Sequence, residues 1–515
     1  MTRTIWLLVA AVATLAVCLL LQMGALPLGI EGEWEWGRID RPTHAIAWAT
    51  ASVVAATYVA FVAVGCRWVE RGGAARRWAV VVLVPAGFAV QFAAQGVGFG
   101  LAKWAFVLVT PSSSGYYTTA RHITDLADFL KHYEQFQLLE EQIHGPFHLA
   151  THPPGLIVLH YAALRLCETH PSFTRAVLAT EPLSARDGFR AASLGQRLKP
   201  ADEASLWLAA IVSQLASVTT VLPLYWWARR HAGERAAWFA AALWPLAPAP
   251  TIFCPKSDVL YPVLAIACVV LFIAGRARSA RWMCAAASGV VLWIGLFHSL
   301  ALLVVVPIMF LAAALGDSLR SAAHWAGLAE RGAAASLGLI GATSLFWLAA
   351  DHNLWATWRR CLAIHAHFYD RVHRSYWPWV GFNVAEFLVA LGLPLAVAAL
   401  AGTIELLRAS RTASPPNNDG PGIAEQPGCG VRVAGAVVCA WWVTLLVLDL
   451  SGKNLGEVAR LWILMMPFAS LAAASALRRD SSGAAGIVLV VLQAVQSLVF
   501  AAMVQGFYDP ASVKL

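Results

Sequence analysis

The chain has 515 residues, of which 59% are hydrophobic and only 13% charged, and its mean hydropathy is +0.64. An ordinary soluble domain is about a quarter charged, so this composition excludes a water-soluble globular protein. The formal charge of +8 does not indicate nucleic-acid binding, because the arginines are dispersed among short loops and form no basic domain.

Apolar runs of about 20 residues recur along the chain, and each is long enough to cross a hydrocarbon layer about 30 Å thick as a helix. The first run, between Met1 and Leu26, resembles both a signal peptide and a transmembrane helix, and its length favours the helix. Lys and Arg near helix ends resist translocation, so arginine-rich loops mark the cytoplasmic side. Such loops lie around residues 67–77, 229–235, 276–281, 320–331, 408–432 and 478–479.

The remaining connections then face the outer side, and nearly every unusual polar residue falls in one of them. The apolar segment at residues 154–166 would form a helix of only about 20 Å, too short to span, so we expect a re-entrant or interfacial helix there. The prediction is an all-α polytopic membrane protein with about thirteen transmembrane helices and a cytoplasmic amino terminus. Its outer connections are residues 28–45, 110–204, 254–258, 298, 351–383 and 449–460.

Along the chain, we expect two amino-terminal transmembrane helices within residues 1–77 and a larger transmembrane unit at residues 78–515. The larger unit contains the outer loop 110–204, with juxtamembrane helices, and a cytoplasmic linker at residues 408–432 that is rich in Pro, Asn and Gly. The nine cysteines show no CxxC or metal-type spacing, so the sequence predicts neither a zinc site nor a disulfide framework.

The outer loop 110–204 begins with a candidate helix at residues 115–130. Its apolar residues recur every three or four positions, which is typical of an amphipathic helix lying on the outer leaflet. On such a helix Asp125 and Asp128 would lie on neighbouring turns of one face. Arg121 precedes Asp125 by four residues, so a surface ion pair is the alternative interpretation.

Two histidines follow in the same loop. His152 is succeeded by two prolines, which fix the backbone and hold His152, and His148 before it, at the entry to the short apolar segment. A rigidly placed imidazole at an interface suits phosphate binding or proton transfer. A turn with incidental histidines would need no function.

Polar breaks between later apolar segments supply further candidates. Lys256 and Asp258 form a charged break, and His298 lies at a predicted outer hairpin, although tight turns need polar residues in any case. Glu457 and Arg460 enter the membrane at the head of a helix, where charges are expensive and usually functional. Snorkelling to the interface is the competing explanation for this pair.

The outer loop 351–383 carries several cationic side chains, Arg371 among them. Such a cluster could hold a phosphate group, or it could bind anionic lipid headgroups. Four tryptophans in the same loop are typical of residues at the headgroup level.

The run from Tyr116 and Tyr117 through Arg121 and Asp128 to His152 and its two prolines resembles the first outer loop of GT-C glycosyltransferases. The similarity is to the group of protein O-mannosyltransferases and aminoarabinose transferases, family 39. The break at residues 255–258 and the stretch at residues 456–462 resemble later outer-face motifs of bacterial members of that family.

This resemblance implies a GT-C-like bundle, a sugar carried on a polyprenyl phosphate as donor, and a glycan, lipid or protein acceptor at the outer leaflet. It also implies an acidic base in the first outer loop. The family usually has an acidic pair just after the first core helix, whereas this chain has Pro111 and three serines there. We therefore expect the catalytic base at Asp125 or Asp128; the alternative is that the chain has lost or changed the activity.

Transfer from a polyprenyl phosphate needs a base for the acceptor hydroxyl and cations for the departing phosphate. No cofactor is assigned, and the sequence leaves a divalent metal open. The expected ligands of donor and acceptor are Tyr116, Tyr117, Arg121, His148, His152, Lys256, Asp258, His298, Arg371, Glu457 and Arg460.

A polyprenyl-lipid flippase or transporter is the competing class. Transporters tend to place ionisable residues near the bilayer midplane, on broken helices in paired repeats, whereas the charges of this chain fall at predicted outer helix ends. We expect a multi-pass protein of the inner (plasma) membrane whose active face is periplasmic or extracellular.

Sidedness is testable with engineered cysteines. Single cysteines introduced beside His152 and beside Glu457 should both react with a membrane-impermeant maleimide added to intact cells, because both positions are expected on the outer side. A cysteine at Arg479 should react only after the membrane is permeabilised. Labelling of the first two positions from opposite sides would rule out a shared site.

Overall fold

The structure is a computed structural model, and it describes residues 2–39, 44–110, 113–145, 147–193, 198–275, 281–316, 322–412 and 429–507. Within these ranges helices dominate, and four strands of two residues each pair as two small antiparallel ribbons. The expected all-α polytopic architecture is confirmed. Most of the predicted linker at residues 408–432 lies outside the described residues.

Ten helical segments in the described part of the chain are long and apolar enough to cross a membrane. Three shorter apolar helices, Trp282–His298, Leu300–Leu315 and Ile463–Leu477, occupy the positions where the sequence predicts the other three spans. The ten are Arg3–Gln22, Ala45–Arg71, Gly73–Gln95, Pro200–Ala232, Glu234–Phe253, Ser257–Ala274, His324–Ala350, Leu393–Ser410, Gly430–Leu450 and Ala484–Met503.

The amino-terminal part contains three long helices and a small hairpin. In chain order its elements are α1 (Arg3–Gln22), β1 (Gly29–Ile30), β2 (Trp34–Glu35), β3 (Gly37–Arg38), α2 (Ala45–Arg71) and α3 (Gly73–Gln95). Strands β1 and β2 pair with each other, whereas β3 pairs with β4 (Val504–Gln505) near the other end of the chain. This second ribbon fastens the connection between α1 and α2 to the last described residues.

Short helices fill the long connection between α3 and residue 200. They are α4 (Lys103–Val109), α5 (Tyr116–His122), α6 (Leu126–Lys131), α7 (Tyr133–His144), α8 (His148–Thr151), α9 (Gly155–Thr169), α10 (Pro171–Ala179) and α11 (Leu183–Ala192). Helix α9 has only 15 residues and is not among the candidate spans of the described chain. Its length agrees with the expected re-entrant or interfacial helix.

The expectation of one continuous amphipathic helix at residues 115–130 is wrong. The helix breaks before Asp125, which is the N-cap of α6: its Oδ1 accepts hydrogen bonds from the backbone N–H groups of Ala127 (2.8 Å) and Asp128 (3.2 Å). Asp is a preferred N-cap because its carboxylate satisfies N–H groups that have no partner inside the helix. The apolar periodicity favours a continuous helix, but this local hydrogen bonding starts a new helix after Asp125.

The rest of the bundle follows from residue 200 to residue 503. Its first half consists of α12 (Pro200–Thr219), α13 (Val221–Ala232), α14 (Glu234–Leu243), α15 (Pro248–Phe253), α16 (Tyr261–Ala274), α17 (Arg281–His298), α18 (Val305–Leu315) and α19 (Ala322–Ala350). Its second half consists of α20 (Leu354–Ala366), α21 (Phe368–Arg371), α22 (Tyr376–Leu391), α23 (Leu393–Thr412), α24 (Cys429–Leu450), α25 (Val458–Leu461), α26 (Pro467–Leu477) and α27 (Ala484–Met503).

Small residues bring the helices of this bundle into backbone contact. A Cβ atom on Gly289 of α17 would lie 1.9 Å from the carbonyl oxygen of Ala335 in α19, and one on Gly338 would lie 2.1 Å from that of Ala286. Helices in lipid gain little from the hydrophobic effect, so association depends on the close packing that such small residues allow. Helix α1 packs against α23 and α27, so the predicted segment 1–77 is joined to the larger unit.

Gly289→Ala should destabilise the protein, because the added methyl group meets a backbone oxygen that cannot rotate away. Overpacking of this kind typically costs about 1–3 kcal/mol, seen as a lower melting temperature of the purified protein in detergent. Gly341→Ala in α19 is the control, since a Cβ there meets nothing within 4 Å and Ala is the better helix former. Equal melting temperatures for the two variants would contradict the backbone contact.

Candidate active site

Segments far apart in the sequence enclose one cavity of about 1020 Å³. This volume is at the upper end of the range that is typical of small-molecule sites. The lining comes from stretches within residues 34–38, 107–116, 147–160, 255–260, 299–304, 362–374, 453–465 and 505–507. Seven residues selected from the sequence line it, namely Tyr116, His148, His152, Lys256, Asp258, Glu457 and Arg460.

Neither carboxylate nominated as the base lies in the cavity lining. Asp125 is exposed and caps α6. Asp128 is exposed as well, and its Oδ1 lies 3.2 Å from the Nδ1 atom of His132. Both side chains make these local contacts outside the cavity lining, and their catalytic role stays a prediction.

Three other nominated residues also stand outside the lining. The hydroxyl of Tyr117 donates to Oδ1 of Asp202 (2.9 Å), and the Nε atom of Arg121 lies 3.4 Å from the same oxygen. Together they fasten α5 to the head of α12 and replace the Arg121–Asp125 pair considered above. Nδ1 of His298 hydrogen-bonds the carbonyl oxygen of Ile294 (2.7 Å), as an ordinary helix-end histidine does.

Arg371 is the last residue of α21, and its side chain lies outside what the structure describes. Its predicted role as a substrate ligand therefore stays a prediction.

The charged centre of the cavity is a cluster of three side chains, in which Arg460 lies between two carboxylates. Nη2 of Arg460 lies 2.7 Å from Oε2 of Glu457, and its Nη1 lies 3.4 Å from Oδ2 of Asp258. The charges of these two carboxylates hold the pKa of Arg460 above its usual value against the opposing effect of burial. Among the described residues, Oδ1 of Asp258 and Oε1 of Glu457 have no hydrogen-bond partner and can receive a ligand proton.

Lys256 lies beside this cluster without an ion pair of its own within the described chain. Burial and, after it, the positive charge of Arg460 lower the pKa of Lys256 to about 7, although the charges of Glu457 and Asp258 oppose this shift. Lys256 is partly buried, and an ammonium removed from water without a close counter-ion is costly. Lys256 is thus a cation whose charge would be stabilised by an anion bound in the cavity.

His148 and His152 are neutral near pH 7. Burial, and after it the charge of Arg460, holds the pKa of His148 well below its usual value, and burial lowers that of His152 to about 4. Nδ1 of His152 lies 2.9 Å from the carbonyl oxygen of His148, which can only accept, so Nδ1 carries the proton and Nε2 a lone pair. His152 therefore suits a hydroxyl donor better than a phosphate.

Two backbone conformations at the cavity are unusual. His148 and Glu457 have positive φ angles of 23° and 59°, and they are two of the three non-glycine residues with positive φ in the described chain. Such conformations cost on the order of 1–3 kcal/mol and cluster at functional sites. Both residues line the cavity.

Two polar residues of α22, missed in the sequence, hold the loop that carries Glu457. Nδ2 of Asn383 donates to Asp449 Oδ1 (2.9 Å) and to the carbonyl oxygen of Asn454 (2.8 Å), while its Oδ1 accepts from Gly456 N–H (3.1 Å). Oε1 of Glu386 accepts from the N–H of Ala459 (3.1 Å). The sequence could have singled out these two residues, because polar side chains inside an apolar helix usually have a function.

The connection between α1 and α2 also reaches the cavity, which the sequence did not predict. Trp34, Glu35, Trp36, Gly37 and Arg38 all belong to the lining. The alternation of Trp and Glu at residues 33–36 is the period of a strand, and it could have indicated a hairpin.

Apolar side chains from three elements form another part of the lining. Leu156 and Leu159 come from α9, the 3-10 turn Leu300–Val304 follows α17, and Leu362 comes from α20. Leu303 is 37% exposed. A ligand with both a charged group and a hydrocarbon chain would match this division of the cavity.

A metal site is not evident in the described ranges. No group of three or more His, Cys, Asp or Glu residues there is arranged to hold a metal ion. The two carboxylates beside Arg460 are already engaged by its guanidinium.

Comparison with known proteins adds little. A scan against protein-family models and a search of curated proteins both find no match to this sequence. Among solved structures there is a likeness to the crystal structure of the Archaeoglobus fulgidus oligosaccharyltransferase in complex with Zn and sulfate, with 14% sequence identity and a TM-score of 0.38 over 77% of this chain. The likeness extends over 52% of that protein, about half of its length, and it carries no argument about function.

Proposed function

We propose that the chain is an integral membrane glycosyltransferase of the GT-C type, which moves a sugar from a polyprenyl-phosphate donor to an acceptor at the outer face of the membrane. The observation that carries the proposal is Lys256, a cation without an ion pair in the described chain, beside Arg460 in a cavity that also has an apolar wall. A lipid-linked phosphodiester has the charge and the hydrocarbon chain that these two features complement.

The proposed reaction is a substitution at the anomeric carbon of the donor sugar. The acceptor hydroxyl oxygen forms the new bond to this carbon, while the bond between the carbon and the phosphate oxygen breaks and its electron pair stays on the phosphate. Lys256 and Arg460 stabilise the charge that develops on that phosphate. A carboxylate takes the proton of the acceptor hydroxyl.

Asp258 is our candidate for that carboxylate. A general base must come within hydrogen-bond reach of the proton that it abstracts, and Asp258 lines the cavity whereas Asp125 and Asp128 do not. Of the two carboxylates beside Arg460, Glu457 is the nearer at 2.7 Å and is the main charge partner of the guanidinium. Asp258 is more loosely held at 3.4 Å, and its Oδ1 is free among the described residues.

Asp258→Asn should lower sugar transfer by about 10²–10⁴-fold, the usual contribution of a positioned base. The assay is consumption of radiolabelled undecaprenyl-phosphate sugars by purified protein in nanodiscs. Asp125→Asn and Asp128→Asn serve as matched controls and should retain activity within about threefold of the unmodified protein, since Asn also caps a helix.

A tenfold or greater loss in Asp125→Asn or Asp128→Asn, with Asp258→Asn active, would return the base to the first outer loop. Binding of the labelled lipids without any breakdown, together with their movement between leaflets, would favour a flippase. The charges gathered around one cavity, rather than on paired repeats, argue against that alternative.

The affinity for the donor should depend on pH through Lys256. Its pKa of about 7 means that the ammonium predominates below pH 7 and is lost above it. A phosphodiester keeps one negative charge throughout, so its dissociation constant should rise by up to tenfold per pH unit above pH 7. Binding of labelled undecaprenyl-phosphate sugar between pH 5.5 and 9 measures this.

Two variants separate this effect from other titrations. Lys256→Arg keeps its charge at every pH used, so binding should become independent of pH, while Lys256→Met should bind weakly throughout. Burial holds the pKa of His148 well below its usual value and lowers that of His152 to about 4, so neither imidazole gains charge near pH 7. An unchanged pH dependence in Lys256→Arg would exclude Lys256 as the phosphate ligand.

A further inference from the structure

The hairpin formed by residues 29–38 contributes one wall of the cavity, and most of its side chains have a clear structural role. Oε2 of Glu33 accepts hydrogen bonds from the N–H of Ser375 (2.8 Å) and from Nε1 of Trp379 (2.6 Å). The indole N–H of Trp36 donates to Oε1 of Glu386 (2.7 Å). These bonds fasten the hairpin to α22, the helix that also holds the loop carrying Glu457.

Three residues of the hairpin that line the cavity, Trp34, Glu35 and Arg38, have polar groups that take no part in this fastening. Nε1 of Trp34 and Nη1 of Arg38 are buried donors without a hydrogen-bond partner in the described structure. Glu35 is exposed, lines the cavity and belongs to no ion pair among the described residues. A buried donor that lacks an acceptor costs about 1–3 kcal/mol, so such groups at a cavity wall call for an explanation.

These three residues offer hydrogen-bond donors, acceptors and an apolar surface, and this combination indicates the kind of ligand that they would bind. Trp34 and Arg38 offer N–H donors, Glu35 offers only acceptors, and the Trp34 ring supplies an apolar surface covered on one face by Arg374 at 5.6 Å. A phosphate would be repelled by Glu35. A sugar ring, which has hydroxyl groups that both donate and accept and a C–H surface between them, matches all three.

We propose that Trp34, Glu35 and Arg38 form a sugar-binding subsite on the amino-terminal hairpin, distinct from the phosphate-binding cations Lys256 and Arg460. The proposal deepens the proposed function and rests on it for the origin of the sugar, which belongs either to the lipid-linked donor or to a glycan acceptor. The subsite would discriminate by hydrogen bonding, because a buried group built to bond a hydroxyl rejects a ligand that lacks it.

Competition binding tests whether the subsite binds the sugar of the lipid-linked donor. Purified protein in nanodiscs is loaded with radiolabelled undecaprenyl phosphate, which is displaced by unlabelled undecaprenyl-phosphate-linked mannose, glucose, galactosamine and arabinose. At least one of these should bind about tenfold or more tightly than the bare lipid phosphate. Trp34→Phe keeps an aromatic ring but removes the N–H group. This variant and Glu35→Gln should each reduce the ratio of the two affinities by about fivefold, with unchanged affinity for the bare lipid.

Saturation-transfer NMR with the methyl glycosides of the same sugars tests whether the subsite binds the sugar of an acceptor. Signals that persist while undecaprenyl phosphate is bound, and that Trp34→Phe and Glu35→Gln abolish, would assign the subsite to an acceptor sugar. Glu31→Gln is the matched control, since Glu31 is an exposed carboxylate of the same hairpin outside the cavity lining. It should behave as the unmodified protein in both experiments.

The outcomes separate this proposal from the proposed function. If the protein binds no undecaprenyl lipid but still shows methyl glycoside signals that depend on Trp34, the lipid-donor function fails and the sugar subsite stands. If undecaprenyl phosphate binds, yet neither variant alters the sugar preference or the NMR signals, the subsite is overturned and the donor assignment stands. Equal losses in Glu31→Gln would also overturn it.

Discussion

The cavity depends on the ion-paired cluster in which the guanidinium of Arg460 lies between the carboxylates of Glu457 and Asp258. Asp258 and Arg460 are 202 positions apart, so the cluster joins the start of α16 to the head of α25. Charges removed from water are tolerated only when they are paired and hydrogen-bonded, and the loss of one partner leaves the others uncompensated. The elements that carry these side chains must therefore meet at this point.

Irregular backbone around the cluster is held by side chains from regular helices. The turn at residues 150–152 receives hydrogen bonds from the Tyr133 hydroxyl and the Gln137 amide, and Asn383 and Glu386 secure the loop before α25. Backbone polar groups at membrane depth need such internal partners because lipid supplies none. The same bonds keep the cavity side chains in fixed positions, as a functional site requires.

Positive charge in the cavity is concentrated in few groups. Burial keeps His148 and His152 neutral, which leaves Arg460 and the pH-sensitive Lys256 as the cations near the two carboxylates. The hairpin at residues 29–38 closes another side with the indole of Trp34, the carboxylate of Glu35 and the guanidinium of Arg38. This division assigns an anionic ligand group to one part of the cavity and a hydroxyl-rich group to another.

The sequence by itself determined the membrane spans and the polar breaks between them, because hydropathy and charge act over short stretches of chain. It also placed Lys256, Asp258, Glu457 and Arg460 at such breaks. Only the tertiary structure decided which of the polar residues meet. Asp125 matched the expected base by type, but it caps a helix, a local contact that apolar periodicity does not report.

Residues that position the site were the least accessible to sequence reasoning. Asn383 and Glu386 interrupt an apolar helix, which marks them as unusual, but their partners lie far away along the chain and are set by packing. Strand β3 of the hairpin pairs with β4, so that Arg38 lies opposite Val504. No local sequence pattern encodes a pairing between strands so far apart along the chain. Contacts between distant segments depend on how the helices pack, and that information exists only in the folded chain.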